Sequence, residues 1–132
     1  MKSFLNLLLS TTSSQFSQIV LTVSPVRHTR EGIAENSLSK STLICAVHML
    51  LQEFPSLLYY FPSYEILIDE LRDYRWYGDD LIHPSLTAQN IIFQRFSTCF
   101  ISQKAIIAMK RLTALQSKIF ILKVDFMNYI YS

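Results

Sequence analysis

The stretch that decides the fold runs from residue 57 to residue 85 and reads LLYYFPSYEILIDELRDYRWYGDDLIHPS. Its first five residues are apolar and lie between two prolines, a pattern that predicts a short strand. Apolar residues at helical spacing follow and predict a helical segment; they are Tyr64, Leu67, Ile68 and Leu71. The stretch ends in a polar loop that contains the motif Asp80-x-x-His83.

A second strand is predicted upstream, where residues 19–23 read IVLTV. An apolar run without alternation is typical of a strand that is covered on both faces in a parallel sheet. Between the two strands, apolar spacing predicts a helix that begins at Asn36 or Ser37, which would cap it, and ends at Phe54. Its predicted inner face consists of Leu43, Ala46, Val47, Leu50, Leu51 and Phe54, with Lys40 on another face. Strand, helix and strand form a βαβ unit, so the sequence predicts an α/β fold.

Two further helices are predicted downstream. The first begins at Pro84, which suits the first turn of a helix, and its inner face consists of Ala88, Ile92, Phe96 and Cys99. The second covers residues 104–118, with Ala105, Met109, Leu112 and Leu115 facing inward. The tail at 119–131 is apolar on all sides and favours neither helix nor strand.

Composition limits the class of protein. The chain has 132 residues, of which 50% are hydrophobic, and this length suits one domain with a core. Its charges are scattered, so no basic patch indicates a nucleic acid partner. No apolar run approaches the roughly 18 residues of a membrane span. Only 17% of the residues are charged, which predicts that a partner covers part of the apolar surface.

The cysteines and the N-terminus bear on the compartment. Cys45 and Cys99 lie in apolar helical segments without metal-ligand spacing, which predicts buried, reduced thiols in the cytoplasm. The apolar run at residues 4–9 is interrupted by Asn6 and is shorter than the roughly 7 to 15 residues that a signal peptide requires. Secretion is therefore the weaker alternative.

Asp80 and His83 are the candidate catalytic residues. At a spacing of three, a loop can direct the carboxylate to one ring nitrogen, which leaves the other nitrogen to act as a general base. The alternative is structural, with Asp80 as a loop cap and His83 at the start of a helix. Both interpretations remain open on spacing alone.

Arg27 and His28 are candidate substrate-binding residues, because they follow a strand at the edge where open α/β sheets bind ligands. An ion pair between this loop and Glu31 is an equally good explanation for them. A metal site built from His28, Asp80 and His83 is conceivable, but nothing in the spacing requires one. We therefore predict no metal and no cofactor.

Three segments resemble the C-terminal half of GSCFA-family proteins, which are relatives of the SGNH and GDSL esterases. They are TVSPVRHTREG at 22–32, SLSKSTL at 37–43 and YFPSYEILIDELRDYRWYGDDLIHPS at 60–85. The resemblance covers about residues 15–100 and implies a three-layer αβα fold with a parallel sheet, incomplete on its N-terminal side. The chain would then be a single partial domain over residues 1–132, with a divergent tail at 101–132.

The resemblance also implies a chemistry. In such enzymes a D-x-x-H motif supplies the acid and the base of a Ser-His-Asp site, and this motif corresponds to Asp80 and His83. The implied reaction is hydrolysis of a carboxylic ester, or acyl transfer, on a small-molecule or glycan substrate.

One part of the family pattern is missing. The nucleophilic serine of the family lies in a Gly-Ser-Cys-Phe-Ala segment, which this sequence does not contain. Ser24, Ser63 and Ser85 each adjoin a proline and lack a glycine elbow. We therefore expect the chain to be part of an esterase and inactive alone. The alternative is a non-catalytic interaction module, or one half of a split hydrolase, that pairs with itself or with a partner chain at an exposed sheet edge.

Overall fold

The computed structural model describes residues 18–116. The element order is strand β1 (Ile19–Thr22), helix α1 (Ile33–Glu53), strand β2 (Leu58–Phe61), a helical turn α2 (Ser63–Glu65) that continues as a π-helix (Ile66–Leu71), a 3-10 turn (Tyr74–Trp76) and helix α3 (Leu86–Phe100). Residues 103–116 are helical and are called α4. The protein is therefore mixed α/β and mostly helical. The undecided tail at 119–131 lies outside the described residues.

The two predicted strands are confirmed and form a parallel sheet. Ile19 lies opposite Leu58 and Thr22 lies opposite Phe61. Among residues 18–116 the sheet consists of these two strands. The prediction that β1 is covered on both faces is wrong, because its first three residues are only half-buried and Thr22 is exposed. A strand at the edge of a sheet is not enclosed as a central strand is.

Helix α1 begins earlier than predicted. Gly32 occupies the N-cap position with φ 98° and ψ 171°, and its carbonyl accepts the backbone N–H of Asn36 at 3.1 Å. The predicted caps are wrong, because the Asn36 Oδ1 accepts the backbone N–H of His28 and the Ser37 hydroxyl donates to the Ile33 carbonyl. The glycine conformation, which other residues rarely adopt, sets the start of the helix.

The inner face of α1 is narrower than predicted. Val47 and Leu50 are buried, and Leu50 packs against Leu58 of β2. Half-buried residues surround this pair: Ile19, Leu21, Leu51, Phe54 and Leu57. Leu43 and Cys45 are exposed, so the predictions that they face the core are wrong. The helix buries one stripe of side chains, and these two residues lie outside it.

Lys40 is buried, with 7% of its surface exposed, although it was predicted to lie on another face. Its Nζ donates to the Ser24 carbonyl at 2.7 Å and lies 5.8 Å from the centre of the Tyr64 ring. Burial lowers the pKa of Lys40. The signal in the sequence was its spacing of seven residues from Val47, which places both on one helical face.

A second apolar cluster consists of residues that precede and follow the Asp80-x-x-His83 motif in sequence. Leu67, Tyr77 and Ala88 are buried together, and the half-buried residues packed against them are Ile68, Leu71, Trp76 and Ile92. The predicted inward positions of Ala88 and Ile92 in α3 are thereby confirmed. Tyr77 immediately precedes the polar loop, and Ala88 lies in the first turn of the helix that follows it.

The chain divides into two compact units, one up to Ile92 and one from Phe93 onward. In the second unit, Phe96 contacts Phe93 and Phe100. Cys99 is exposed, as are three residues of α4 that were predicted to face inward, Met109, Leu112 and Leu115. These predictions are wrong because apolar spacing defines a helical face without showing that anything covers it. None of the helices within residues 18–116 combines the length and the hydropathy that crossing a bilayer requires.

Candidate active site

Residues 78–83, between the 3-10 turn and α3, form a closed loop that is called the Asp80 loop. Tyr77 and Pro84 form an antiparallel bridge at its base, and the Gly78 N–H donates to the His83 carbonyl at 2.8 Å. Within the loop, the Leu81 N–H donates to the Gly78 carbonyl at 2.9 Å. Helix α3 begins at Leu86 rather than at Pro84, because Pro84 is engaged in the bridge. These backbone bonds fix the conformation of the residues that carry the two candidate catalytic side chains.

The Asp80 carboxylate is held at both oxygens. Its Oδ2 lies 2.6 Å from Nδ1 of His83, and its Oδ1 accepts the backbone N–H groups of Ile82 and His83, each at 2.9 Å. The hydrogen bond from the His83 side chain, followed by the two backbone bonds, lowers the pKa of Asp80 to about 2. The carboxylate is therefore ionised at neutral pH.

The imidazole of His83 has two different nitrogens as a result. Nδ1 faces an ionised carboxylate, so it carries the proton in the neutral ring and donates to Asp80. The other nitrogen, Nε2, has no hydrogen-bond partner among residues 18–116, and 63% of the side chain is exposed. An unprotonated, accessible Nε2 is what a general base requires.

Arg27 connects this loop to the segment that follows β1. Its backbone N–H donates to the Ile82 carbonyl at 3.1 Å, and its Nη1 donates to the Leu81 carbonyl at 3.3 Å. Its guanidinium carbon lies 4.2 Å from the centre of the Tyr77 ring and 5.2 Å from that of Tyr74. Part of the guanidinium is thus engaged within the protein. Sequence alone gave no signal for this contact, since Arg27 and its partners are about fifty residues apart.

His28 makes a different set of contacts. Its Nε2 lies 2.5 Å from Oε2 of Glu31, the partner that the sequence offered as the alternative to a substrate. Among residues 18–116, no group of three or more His, Cys, Asp or Glu side chains is arranged to hold a metal ion. His28, Asp80 and His83 therefore do not converge on a common centre.

The hydroxyls of three serines near the strand ends and the loop are engaged locally. Ser24 Oγ accepts the backbone N–H of Val26, and Ser85 Oγ accepts that of Ala88. The buried Ser63 Oγ donates to the Val23 carbonyl at 2.8 Å. In the part of the chain that the structure describes, no serine hydroxyl is hydrogen-bonded to His83.

Together, these features define an α/β protein in which a backbone-anchored aspartate-histidine pair lies in a loop tied to the segment beyond a parallel strand. The family model of the GSCFA family matches residues 1–96, which is more than half of the chain. The chain belongs to the GSCFA family, as the three segments predicted. No curated protein and no solved structure gives a significant match.

Proposed function

We propose that Asp80 and His83 are the acid and the base of a hydrolase or acyl transferase that acts on carboxylic esters. The observation that carries this proposal is the anchored carboxylate: Asp80 is hydrogen-bonded to His83 Nδ1 and to two backbone N–H groups, while Nε2 has no hydrogen-bond partner among residues 18–116. Membership of the GSCFA family supports it. The three-layer αβα fold is part of the same proposal, with β1 and β2 as two strands of a larger parallel sheet.

The reaction follows from the two nitrogens of His83. Nε2 accepts the proton of a hydroxyl as that oxygen attacks the ester carbonyl, and the ionised Asp80 stabilises the resulting imidazolium. Nε2 then returns the proton to the leaving alcohol oxygen, and the acyl group remains on the attacking oxygen. Water or a second alcohol removes the acyl group by the same steps. The substrate we propose is a small-molecule or glycan ester.

The attacking hydroxyl is not assigned to this chain. The sequence contains no glycine-flanked serine of the G-x-S-x-G kind, and Ser24, Ser63 and Ser85 form local hydrogen bonds. We therefore propose that the chain alone does not complete the reaction. A fluorophosphonate probe tests this, because it labels activated serines. We expect no labelling that depends on His83; stoichiometric labelling that His83→Ala abolishes would show that the chain holds its own nucleophile.

The basicity of the pair can be tested without a serine. An unprotonated, accessible imidazole attacks p-nitrophenyl acetate, takes the acetyl group and releases p-nitrophenolate, and water then cleaves the acyl imidazole. We expect His83→Ala to remove most of the protein-dependent release of p-nitrophenolate and Asp80→Asn to reduce it several-fold. His28→Ala is the matched control, since His28 is also exposed and also paired with a carboxylate. Equal losses in His28→Ala and His83→Ala would contradict the proposal.

A second candidate function is association through the sheet, with this chain as a non-catalytic module or as one half of a split hydrolase. It is favoured by the size of the sheet, since β1 and β2 are its two strands among residues 18–116 and edge strands invite pairing. The partner would be a second copy or another chain that adds a strand. Light scattering after size exclusion tests it, and a stable monomer would contradict self-association.

The cytoplasm is the compartment we propose, because Cys45 and Cys99 are free thiols.

A further inference from the structure

Arg27 holds the two residues that separate Asp80 from His83. Its Nη1 donates to the Leu81 carbonyl at 3.3 Å, and its backbone N–H donates to the Ile82 carbonyl at 3.1 Å. These two carbonyls belong to the middle of the D-x-x-H motif. A single residue from the segment after β1 therefore restrains both residues of the motif that are not titratable.

The guanidinium has a buried aromatic support. It lies 4.2 Å from the centre of the Tyr77 ring, and Tyr77 is buried in the cluster with Leu67 and Ala88. A cation over an aromatic face is attracted by the negative potential of the ring. The Tyr77 hydroxyl is buried and has no hydrogen-bond partner among the described residues. Tyr77 therefore contributes to this contact through its ring and not through its hydroxyl.

The residue that Arg27 restrains is strained. Leu81 has φ 56°, a left-handed conformation in which a leucine side chain crowds the backbone. Such a conformation persists only where the surrounding contacts enforce it. Those contacts are the Leu81 N–H to the Gly78 carbonyl and the Arg27 guanidinium to the Leu81 carbonyl. If Leu81 relaxes, the next peptide rotates, and the Ile82 N–H that donates to Asp80 rotates with it.

We propose that Arg27 is a positioning residue for the Asp80–His83 pair: its guanidinium, in contact with the Tyr77 ring, keeps Leu81 in the conformation that directs the Ile82 N–H to Asp80. A catalytic benefit from Arg27 rests on the proposed function, whereas its effect on the conformation of Leu81 does not. Substrate binding by Arg27 was the role expected from the sequence. The positioning role assigns its Nη1 to the Leu81 carbonyl, so that this donor faces the loop and not a ligand.

The effect of Arg27 on the Asp80 carboxylate can be measured as the pKa of Asp80. The titration is followed in the full chain by the ¹³C shift of the Asp80 carboxyl carbon. In the native protein the pKa of Asp80 is lowered to about 2 by its hydrogen bonds. We expect Arg27→Met and Arg27→Lys to raise it toward the ordinary value of 3.8. Lysine keeps the charge and loses the planar fork. Tyr77→Leu, which keeps Arg27 and removes its support, should raise it too.

Two variants serve as matched controls. Tyr77→Phe keeps the ring and removes only the unpaired hydroxyl, and Arg75→Met removes an equal charge from the neighbouring turn, where Arg75 is paired with Asp73. Both should leave the pKa of Asp80 near 2. Circular dichroism at neutral pH establishes that each variant is folded.

The pKa of Asp80 in these variants decides whether Arg27 positions the pair. An Asp80 pKa that stays near 2 in folded Arg27→Met overturns it, and so does a native value in Arg27→Lys, because charge alone would then be sufficient. A rise in both Arg27 variants, with native values in Tyr77→Phe and Arg75→Met, supports it. The titration needs no substrate, so it can succeed even if the ester assay with His83→Ala fails, and the reverse also holds.

Discussion

Two loops of this protein place a histidine three residues from a carboxylate. His28 and Glu31 follow β1, and Asp80 and His83 precede α3, with nitrogen-to-oxygen distances of 2.5 Å and 2.6 Å. Exposure does not separate the pairs, since the side chains are 58% and 53% exposed in the first and 63% and 47% exposed for His83 and Asp80 in the second. Spacing, distance and exposure would therefore assign both pairs the same function.

The backbone separates them. Asp80 accepts two backbone N–H groups from its own loop, whereas Glu31 accepts none within residues 18–116. The net stabilisation from an exposed pair of side chains is small, because solvent weakens the attraction and holding two flexible side chains in place costs entropy. A carboxylate held by fixed amides keeps its direction and its charge. The pair at Asp80 and His83 is thus preorganised, and this is what supports a catalytic role for it.

The largest predicted effect comes from the packing next to the Asp80 loop. Leu67 is 1% exposed and packs with Tyr77 and Ala88, which lie on either side of that loop. Leu67→Ala should lower the free energy of unfolding by about 2–5 kcal/mol, because it leaves a cavity beneath the base of the loop. Urea denaturation measures this. Met49→Ala, at an exposed position of α1, is the control and should change stability by no more than about 0.5 kcal/mol.

Substitution of the glycines in the two loops should change stability by different amounts. Gly32 has φ 98° and ψ 171°, a region that side chains exclude, although a Cβ there would meet no atom of residues 18–116 within 4 Å. Gly32→Ala should therefore cost about 1–3 kcal/mol through backbone strain alone. A Cβ at Gly78 would meet Asp80 and the His83 carbonyl at 3.7 Å, which is ordinary contact. Gly78→Ala should change stability by less than about 1 kcal/mol. Thermal melts of both variants test the contrast, and equal losses would contradict it.

The sequence predicted the elements well where a pattern repeats over several residues. Ile19–Thr22 and Leu58–Phe61 are strands within the two predicted runs, and the periodic segments form helices. It failed at the start of α1, where Asn36 is a good cap by type but Gly32 sets the helix through its backbone. A capping preference is weaker than a backbone conformation that one residue alone adopts readily.

The candidate site was predictable only in part. The spacing of Asp80 and His83 showed that the side chains could meet, and the alternative role of Asp80 as a loop cap is also observed, since its Oδ1 accepts two backbone N–H groups. Spacing alone did not show that one carboxylate does both. The contact of Arg27 with Tyr77 joins residues about fifty positions apart, so it depends on the folded chain. Local patterns therefore identified the chemical groups, and tertiary structure decided which of them are held in place.

Strain within the Asp80 loop gives a smaller effect, of opposite sign. Leu81 adopts φ 56°, and its side chain is exposed, so little packing is lost when it is replaced. Asparagine tolerates this conformation better than leucine does. Leu81→Asn should therefore stabilise the protein by about 0.5–1 kcal/mol. The thermal midpoint should rise, whereas an unchanged or lower midpoint would show that Leu81 is not strained.

The smallest predicted effect on stability concerns acid, and it follows from Asp80 alone. Its pKa is about 2 in the folded protein and has an ordinary value of 3.8, so between these values the unfolded chain binds more protons than the folded one. The stability that Asp80 contributes is therefore complete above about pH 5 and is lost as the pH falls toward 2. The residue in Asp80→Asn cannot titrate. The difference in thermal midpoint between the native protein and Asp80→Asn should therefore narrow as the pH falls from about 5 toward 2. His83→Ala removes the largest cause of the lowered pKa, so its acid dependence should be weaker than that of the native chain. A difference between native and Asp80→Asn proteins that stays constant from pH 5 to pH 2 would mean that Asp80 is not anchored in solution, and the contrast between the two loops would then lose its physical basis.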